Sequence, residues 1–238
     1  MLLGLAVCAC GDGTRPAATV RMLDPVNAVH GKTYPQWAVE YMKWRFETPF
    51  SVLADVKDCG AGQDPAQPVA FLAEDLAART EPLPCAFASE RSLLVPLFPL
   101  SVDSATAPNG LALKKALDDA MQQFVIEEAS ITVDGLVLEA PLSGRIEATK
   151  YAYEPSPGDS ALFALYGVAD VPPVVDPAFV AGYWVLLRPL GSGRHEVSIS
   201  LRARTGGAVP NGVKVGVAGD DVVGVIQSDE FTYHLKLD

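Results

Sequence analysis

Cysteine carries the most reactive chemistry in this chain, and three of its four cysteines sit in surroundings that assign them a task. The first residues, MLLGLAVCACGDG, form a short apolar run ending in Ala9-Cys10-Gly11. A small residue directly before a cysteine is what a lipoprotein signal peptidase requires, and Ala9 before Cys10 meets that need better than Val7 before Cys8. Cys10 is therefore the expected site of acylation, and residues 1–10 the expected signal. No Lys or Arg precedes the run, so the positive segment of a secretory signal is missing, and a start lying too far downstream is expected. An apolar N-terminus on a cytosolic protein is the alternative. The run falls short of the roughly 18 apolar residues of a membrane-spanning helix.

Cys59 and Cys85 lie in the turn-rich stretches DVKDCGAGQDP and EPLPCAF. In an exported chain they meet an oxidising compartment, and a disulfide is the expected outcome. Closing a loop of about 25 residues stabilises a fold by about 3 kcal/mol in the chain-entropy account. Two buried free thiols are the alternative, since neither cysteine has the spacing of a metal site.

Other chemistry is thinly represented. His30, His195 and His234 lie far apart in sequence without the paired spacing of a zinc site, so no metal and no cofactor is expected. A G-x-S-x-G nucleophile elbow is missing, and GAGQD at 60–64 is not followed by the Lys-Ser or Lys-Thr of a phosphate-binding loop. Glycoside hydrolysis needs only two carboxylates at the right separation, and Glu90, Asp103 and Asp134 are the acids to consider. Each reads first as a turn or surface acid.

The elements that would position such groups follow from periodicity. Thr33-Tyr34-Pro35-Gln36 is a capping-box pattern with proline in the donor-free first turn, and the helix it opens should end near Phe46, before Thr48-Pro49. Trp37, Tyr41 and Trp44 fall on one face of that helix, where core packing is the expected role and a sugar-stacking platform the alternative. A second amphipathic helix is expected from Asn109 or Gly110 to about Ala129. SLLVPLFPL at 92–100 is apolar on both faces, yet Pro96 and Pro99 cannot donate to a ladder, so it is expected to run along an edge or to break. From residue 130 the period changes to two. ITV-DG-LVLEA is a hairpin signal, and GRIEATKYAY, DSALFALYG, GYWVLLRPL, HEVSISLRAR, VKVGVAG and FTYHLKL are candidate strands.

At 238 residues, nearly half of them apolar, the chain can bury a sizeable core. Its 19 prolines and 20 glycines favour short elements separated by turns. The expected fold is mainly β, a β-sandwich or jelly-roll-like domain flanked by two amphipathic helices, with residues 11–29 as a flexible tether and 30–238 as one domain. A net charge of −11 argues against nucleic acid and anionic membrane surfaces as partners.

The succession GKTYPQW…W at 31–44, Cys59-x-x-x-Gln63, PVAFLA, a cysteine before an apolar proline-bearing strand, and GYWVLLRPLGSGRHEV at 182–197 resembles a group of secreted bacterial proteins of unknown function. The resemblance spans most of residues 30–200 and departs at 74–91, where EDLAARTEPLP and SER replace the expected glycines. It implies export and a β-rich fold and transfers no activity.

The expected function is that of an exported, lipid-anchored protein of the bacterial cell envelope, non-catalytic, binding a glycan, a peptide or another envelope protein. Gln63, Tyr183 and Trp184 are the residues where a ligand would be sought first. A secreted hydrolase of cell-wall or extracellular polysaccharide is the alternative, and a purely structural matrix component a third reading.

Overall fold

The computed structural model describes residues 20, 22–54, 58–73, 82–107, 110–206, 213–215, 225–226 and 231–238. Cys10 and the rest of the expected signal lie outside these residues, as do Asn109 and most of the AEDLAAR stretch. In chain order the elements are α1 (Tyr34–Glu47), α2 (Phe50–Ala54), β1 (Val69–Phe71), β2 (Leu83–Phe87), β3 (Ser92–Asp103), α3 (Leu113–Gln123), β4 (Phe124–Val133), β5 (Leu136–Val137), β6 (Arg145–Tyr153), α4 (Ala161–Tyr166), β7 (Val175–Leu187), β8 (Gly193–Thr205), β9 (Lys214–Val215), β10 (Val225–Ile226) and β11 (Phe231–Leu237). A 3-10 turn at Pro141–Gly144 leads into β6.

The strands form two sheets that pack as a β-sandwich, so the chain is mainly β as its turn-rich sequence predicts. The first sheet runs β1-β3-β7-β6, with β9 also paired to β3. The second runs β2-β11-β8-β4-β5, with β10 also on β8. Between them lies one apolar core, drawn from β3, β7, β8 and β11 with Leu117, Ala120 and Met121 of α3. A second core lies on the other face of the first sheet, where α1 and α4 bury Tyr34, Trp37, Tyr41, Phe46 and Leu162 against Phe71, Leu94, Val180, Trp184 and Leu186. The molecule therefore has three layers: helices, a sheet buried on both faces, and a sheet with one face in water.

This layering explains β3, all of whose residues are buried. The strand was expected at an edge or broken, and it is instead internal, paired to β7 along its length and to β1 and β9 on its other side. Leu72 donates to the Leu94 carbonyl, which fixes the side to which alternate peptide groups point. A β-bulge between Pro96 and Phe98 shifts the register by one residue. By that alternation both Pro96 and Pro99 direct their nitrogens away from β7, into the gap between β1 and β9. Neither proline removes a bond from the long β3–β7 ladder.

Two other expectations are corrected. The second helix ends at Gln123 rather than near Ala129, because the aromatic and β-branched run Phe124-Val125-Ile126 pairs with β8. DSALFALYG is a helix and not a strand: Ser160 accepts the Leu162 amide at 3.1 Å as N-cap, and Gly167 closes the helix in the left-handed region at φ +67°. The first helix keeps its expected bounds within a residue, and Gln36 reaches back to the Thr33 amide at 2.8 Å. Asp134-Gly135 forms the expected hairpin turn, with both residues at positive φ.

Packing onto the domain begins before residue 30. The Leu23 amide donates to the Leu186 carbonyl at 2.7 Å, and the Tyr34 hydroxyl donates to the Leu23 carbonyl at 2.5 Å while accepting from the Leu186 amide. Burial pushes the Tyr34 phenol up to about 12, so this stitch keeps its proton.

Candidate functional site

Cys59 and Cys85 form the expected disulfide, with their Cα atoms 4.9 Å apart. Its placement follows from the flanking hydrogen bonds. The Cys59 amide donates to the Pro84 carbonyl at 2.9 Å, and the Asp58 carboxylate accepts from both the Gly60 and the Ala86 amides. Four residues on, the Gln63 side-chain amide donates to the Phe71 carbonyl at 2.7 Å and accepts the Phe71 amide at 2.8 Å. Gln63 thus acts as a one-residue strand on the edge of β1. The disulfide therefore fixes this turn covalently to β2, at the edge of the second sheet, while Gln63 carries the same turn to β1, at the edge of the first.

That geometry gives Gln63 a structural task. Tyr183 and Trp184 are neighbours on β7, and strand alternation sends them to opposite faces. Trp184 is 0 % exposed, edge-on to Tyr41 with ring centroids 5.2 Å apart, and Tyr41 in turn meets Trp44 and Phe71 edge-on. Tyr183 is half-buried against the core between the sheets. The three residues do not converge on one surface. The Trp37, Tyr41 and Trp44 stripe is likewise the packed face of α1, with Trp37 2 % exposed and its indole donating to the Val29 carbonyl at 2.9 Å.

The three candidate acids are dispersed. Glu90 is exposed in the turn before β3 and Asp103 ends that strand, so its 12 residues separate them by roughly 40 Å at about 3.3 Å each. Asp134 sits at the end of β4, which is three strand spacings, about 14 Å, from β2. Asp134 accepts the Glu196 amide at 2.9 Å and faces the His195 Nδ1 at 2.8 Å, while the His195 Nε2 faces the Gly191 carbonyl at 3.2 Å. Burial alone would raise the Asp134 carboxyl. The bonds from His195 and the Glu196 amide outweigh it and hold the group below its ordinary value. Both imidazole nitrogens are spent on the turn, so this Asp–His pair fastens β4 to β8.

Asp103 is the exception to the surface reading: it is buried, and the polar residues around it form a nest on the helix side of the first sheet. Lys214 of β9, also buried, is in direct contact with Asp103 Oδ2 through its Nζ. The Tyr153 hydroxyl donates to the same oxygen at 2.9 Å. Oδ1 accepts the Ala105 amide at 3.0 Å, the Thr106 amide at 2.9 Å and the Thr106 hydroxyl at 3.0 Å. Above the ammonium stand the rings of Tyr166 and Phe46, 4.7 and 5.1 Å from Nζ.

The electrostatics of the nest follow from burial. Burial lowers Lys214 to about 8 against the pull of Asp103, and the Arg45 guanidinium adds to the fall. Burial would raise the Asp103 carboxyl, but Lys214, Tyr153 and the Thr106 amide together hold it below the usual range. Burial and Asp103 push the Tyr153 phenol far above its ordinary value, so it remains a proton donor. The Tyr151 hydroxyl, buried nearby, has no hydrogen-bond partner among the described residues. Lys214, Tyr153 and Arg45 carried no sequence signal. In VKVGVAG, Lys214 sits where alternation predicts a wet face, but here the face opposite the core is covered by helices.

Among the described residues, no three His, Cys, Asp or Glu side chains stand close enough to hold a metal ion, and no helix is long and apolar enough to cross a membrane. Compared with protein-family models, curated proteins and solved structures, the chain matches none.

Proposed function

We propose that this chain is an exported protein of the bacterial cell envelope, anchored through a lipid on Cys10, whose β-sandwich is a non-catalytic binding or structural module. The observation that carries the reading is the Cys59–Cys85 bond, which fastens the turn before Gln63 to β2 of the second sheet. Disulfides that hold a fold together belong to oxidising compartments. Further support comes from the polar groups with the most chemistry, Asp103 with Lys214 and Asp134 with His195, which are spent on partners within the fold.

Among the described residues, the outer face of the second sheet offers a broad polar surface to a partner. Hydroxyls of Ser130, Thr132, Ser198, Ser200 and Thr232 form a stripe across β4, β8 and β11. It is flanked by Arg202 and Arg204 paired with Glu127 and Glu128, and by His234 beside Glu196. A face of hydroxyls and mutually paired charges suits an uncharged, hydrogen-bonding partner, and a glycan is the chemistry that fits it. Polysaccharide hydrolysis would need two carboxylates across a cleft, and Glu90, Asp103 and Asp134 stand apart.

Labelled fatty acid fed to a bacterium expressing the chain tests the anchor. Label should enter the wild type and the Cys8→Ala variant and be lost in Cys10→Ala; equal label in Cys10→Ala, or none in the wild type, refutes the anchor. A thermal-shift series with cell-wall fragments and neutral oligosaccharides tests the face. A ligand at a hundred times its Kd stabilises the native state by about 2.7 kcal/mol. The shift should disappear when Ser198 and Ser200 are replaced by valine.

A further inference from the structure

We propose that Lys214 and Asp103 become joined by an intramolecular amide bond, from Nζ to Cγ, which the folded protein forms on itself. The amine and the carboxyl belong to neighbouring strands, since Lys214 pairs with Ser101 two residues before Asp103. Both are buried and in direct contact. Held this way, a bimolecular condensation becomes an intramolecular one, for which effective molarities are on the order of 10⁵ M or more. The proposal stands independently of the compartment and the anchor.

Each group around the pair has a part in such a reaction. Two backbone amides and the Thr106 hydroxyl, all within 3.0 Å, hold Oδ1 where negative charge develops in a tetrahedral intermediate. On the other oxygen the Tyr153 hydroxyl, at 2.9 Å, stands where a proton must be delivered to the departing atom. The rings of Phe46 and Tyr166 wall Nζ from water, which removes the solvent that would reverse the step. Burial lowers Lys214 below an ordinary lysine, which eases the loss of its proton.

The step balances without an oxidant, a reductant or a co-reactant. The ammonium passes one proton to the carboxylate within the pair, leaving an amine and a carboxylic acid. The amine nitrogen attacks Cγ and the C–N bond forms, with the charge on Oδ1. The Cγ–Oδ2 bond then breaks, and Oδ2 leaves as water carrying the acid proton and one proton from nitrogen, relayed through Tyr153. The product is Lys214–NH–CO–Asp103 and one water.

The bond would tie β9 covalently to the end of β3, opposite in function to an isolated buried ion pair, which contributes little net stability. It is read by mass. The purified chain, with its disulfide reduced and the protein fully denatured, should weigh one water less than the mass expected for it once any N-terminal processing is counted. Trypsin should release a branched species joining residues 92–114 to residues 205–236, uncut at Lys214. Lys214→Arg and Asp103→Ala should each restore the full mass and the separate peptides. The wild type decides the matter even if the variants fold poorly: a folded wild-type chain at its full expected mass, cleaved at Lys214, overturns the proposal and leaves an ordinary buried ion pair.

Discussion

The two sheets are built from strands of similar length, 12 and 13 residues in β3 and β7 against 13 and 10 in β8 and β4, but they live in different solvents. In the first, helices cover one face and the second sheet covers the other, so β3 is buried at every position. In the second, Val197, Ile199, Leu201 and Ala203 point inward while Glu196, Ser198, Ser200, Arg202 and Arg204 meet water. Polar residues therefore have opposite consequences. On the second sheet they are solvated at little cost. On the first, Asp103 and Lys214 must be satisfied by one another and by Tyr153 and Thr106.

The contrast can be broken most forcefully at Trp184, beneath α1. Trp184→Ala should cost about 3 to 5 kcal/mol in urea unfolding. Trp184→Phe should cost much less, because the indole N–H it removes has no acceptor among the described residues. Next in size is the disulfide that fixes the Cys59 turn to β2. Replacing both Cys59 and Cys85 by serine should lower stability by about 3 kcal/mol, read as a fall in the denaturation midpoint that reducing agent reproduces in the wild type and not in the variant. A Cβ on Gly144 would run into the Trp184 carbonyl, so Gly144→Ala should cost about 1 to 3 kcal/mol by the same assay.

The second sheet should respond weakly. Asp134 has its folded pKa held below the unfolded value, so its contribution is present above the ordinary carboxylate pKa and lost as pH falls through the folded one. The group is 46 % exposed, so solvent screening keeps the contribution under about 1 kcal/mol, and Asp134→Asn should flatten the acid limb of stability against pH by no more than that. Arg202→Ala, on the outer face, should stay within about 0.5 kcal/mol. A large loss at Arg202 together with a small one at Trp184 would reverse the assignment of covered and open faces.

How much of this was legible in the sequence depended on whether its cause was local. Thr33-Tyr34-Pro35-Gln36, Asp134-Gly135 and the alternation of β8 and β11 announce their elements because caps, turns and one-sided burial act over a few residues. The capped helix at Ala161–Tyr166 was legible in principle from Ser160 and Gly167, but the apolar run between them looks alike as strand or helix. The route of β3 was hidden because the tolerance of Pro96 and Pro99 depends on a bulge and on where β1 stops. The buried nest was the least accessible: Asp103 and Lys214 are 111 residues apart, and nothing near either names the other. Gln63 was singled out for its surroundings, but that its amide would serve as a strand partner for Phe71 depends on tertiary placement.

That the chain is exported and closed by its disulfide is the centre of the proposed function, and thiol trapping in intact cells tests it most directly. Cells are quenched in acid, and the unfolded chain is treated with a maleimide polymer before and after reduction. The account predicts that Cys59 and Cys85 shift the band only after reduction, and that the protein fractionates with the envelope. Folded protein whose two thiols react without reduction would contradict it.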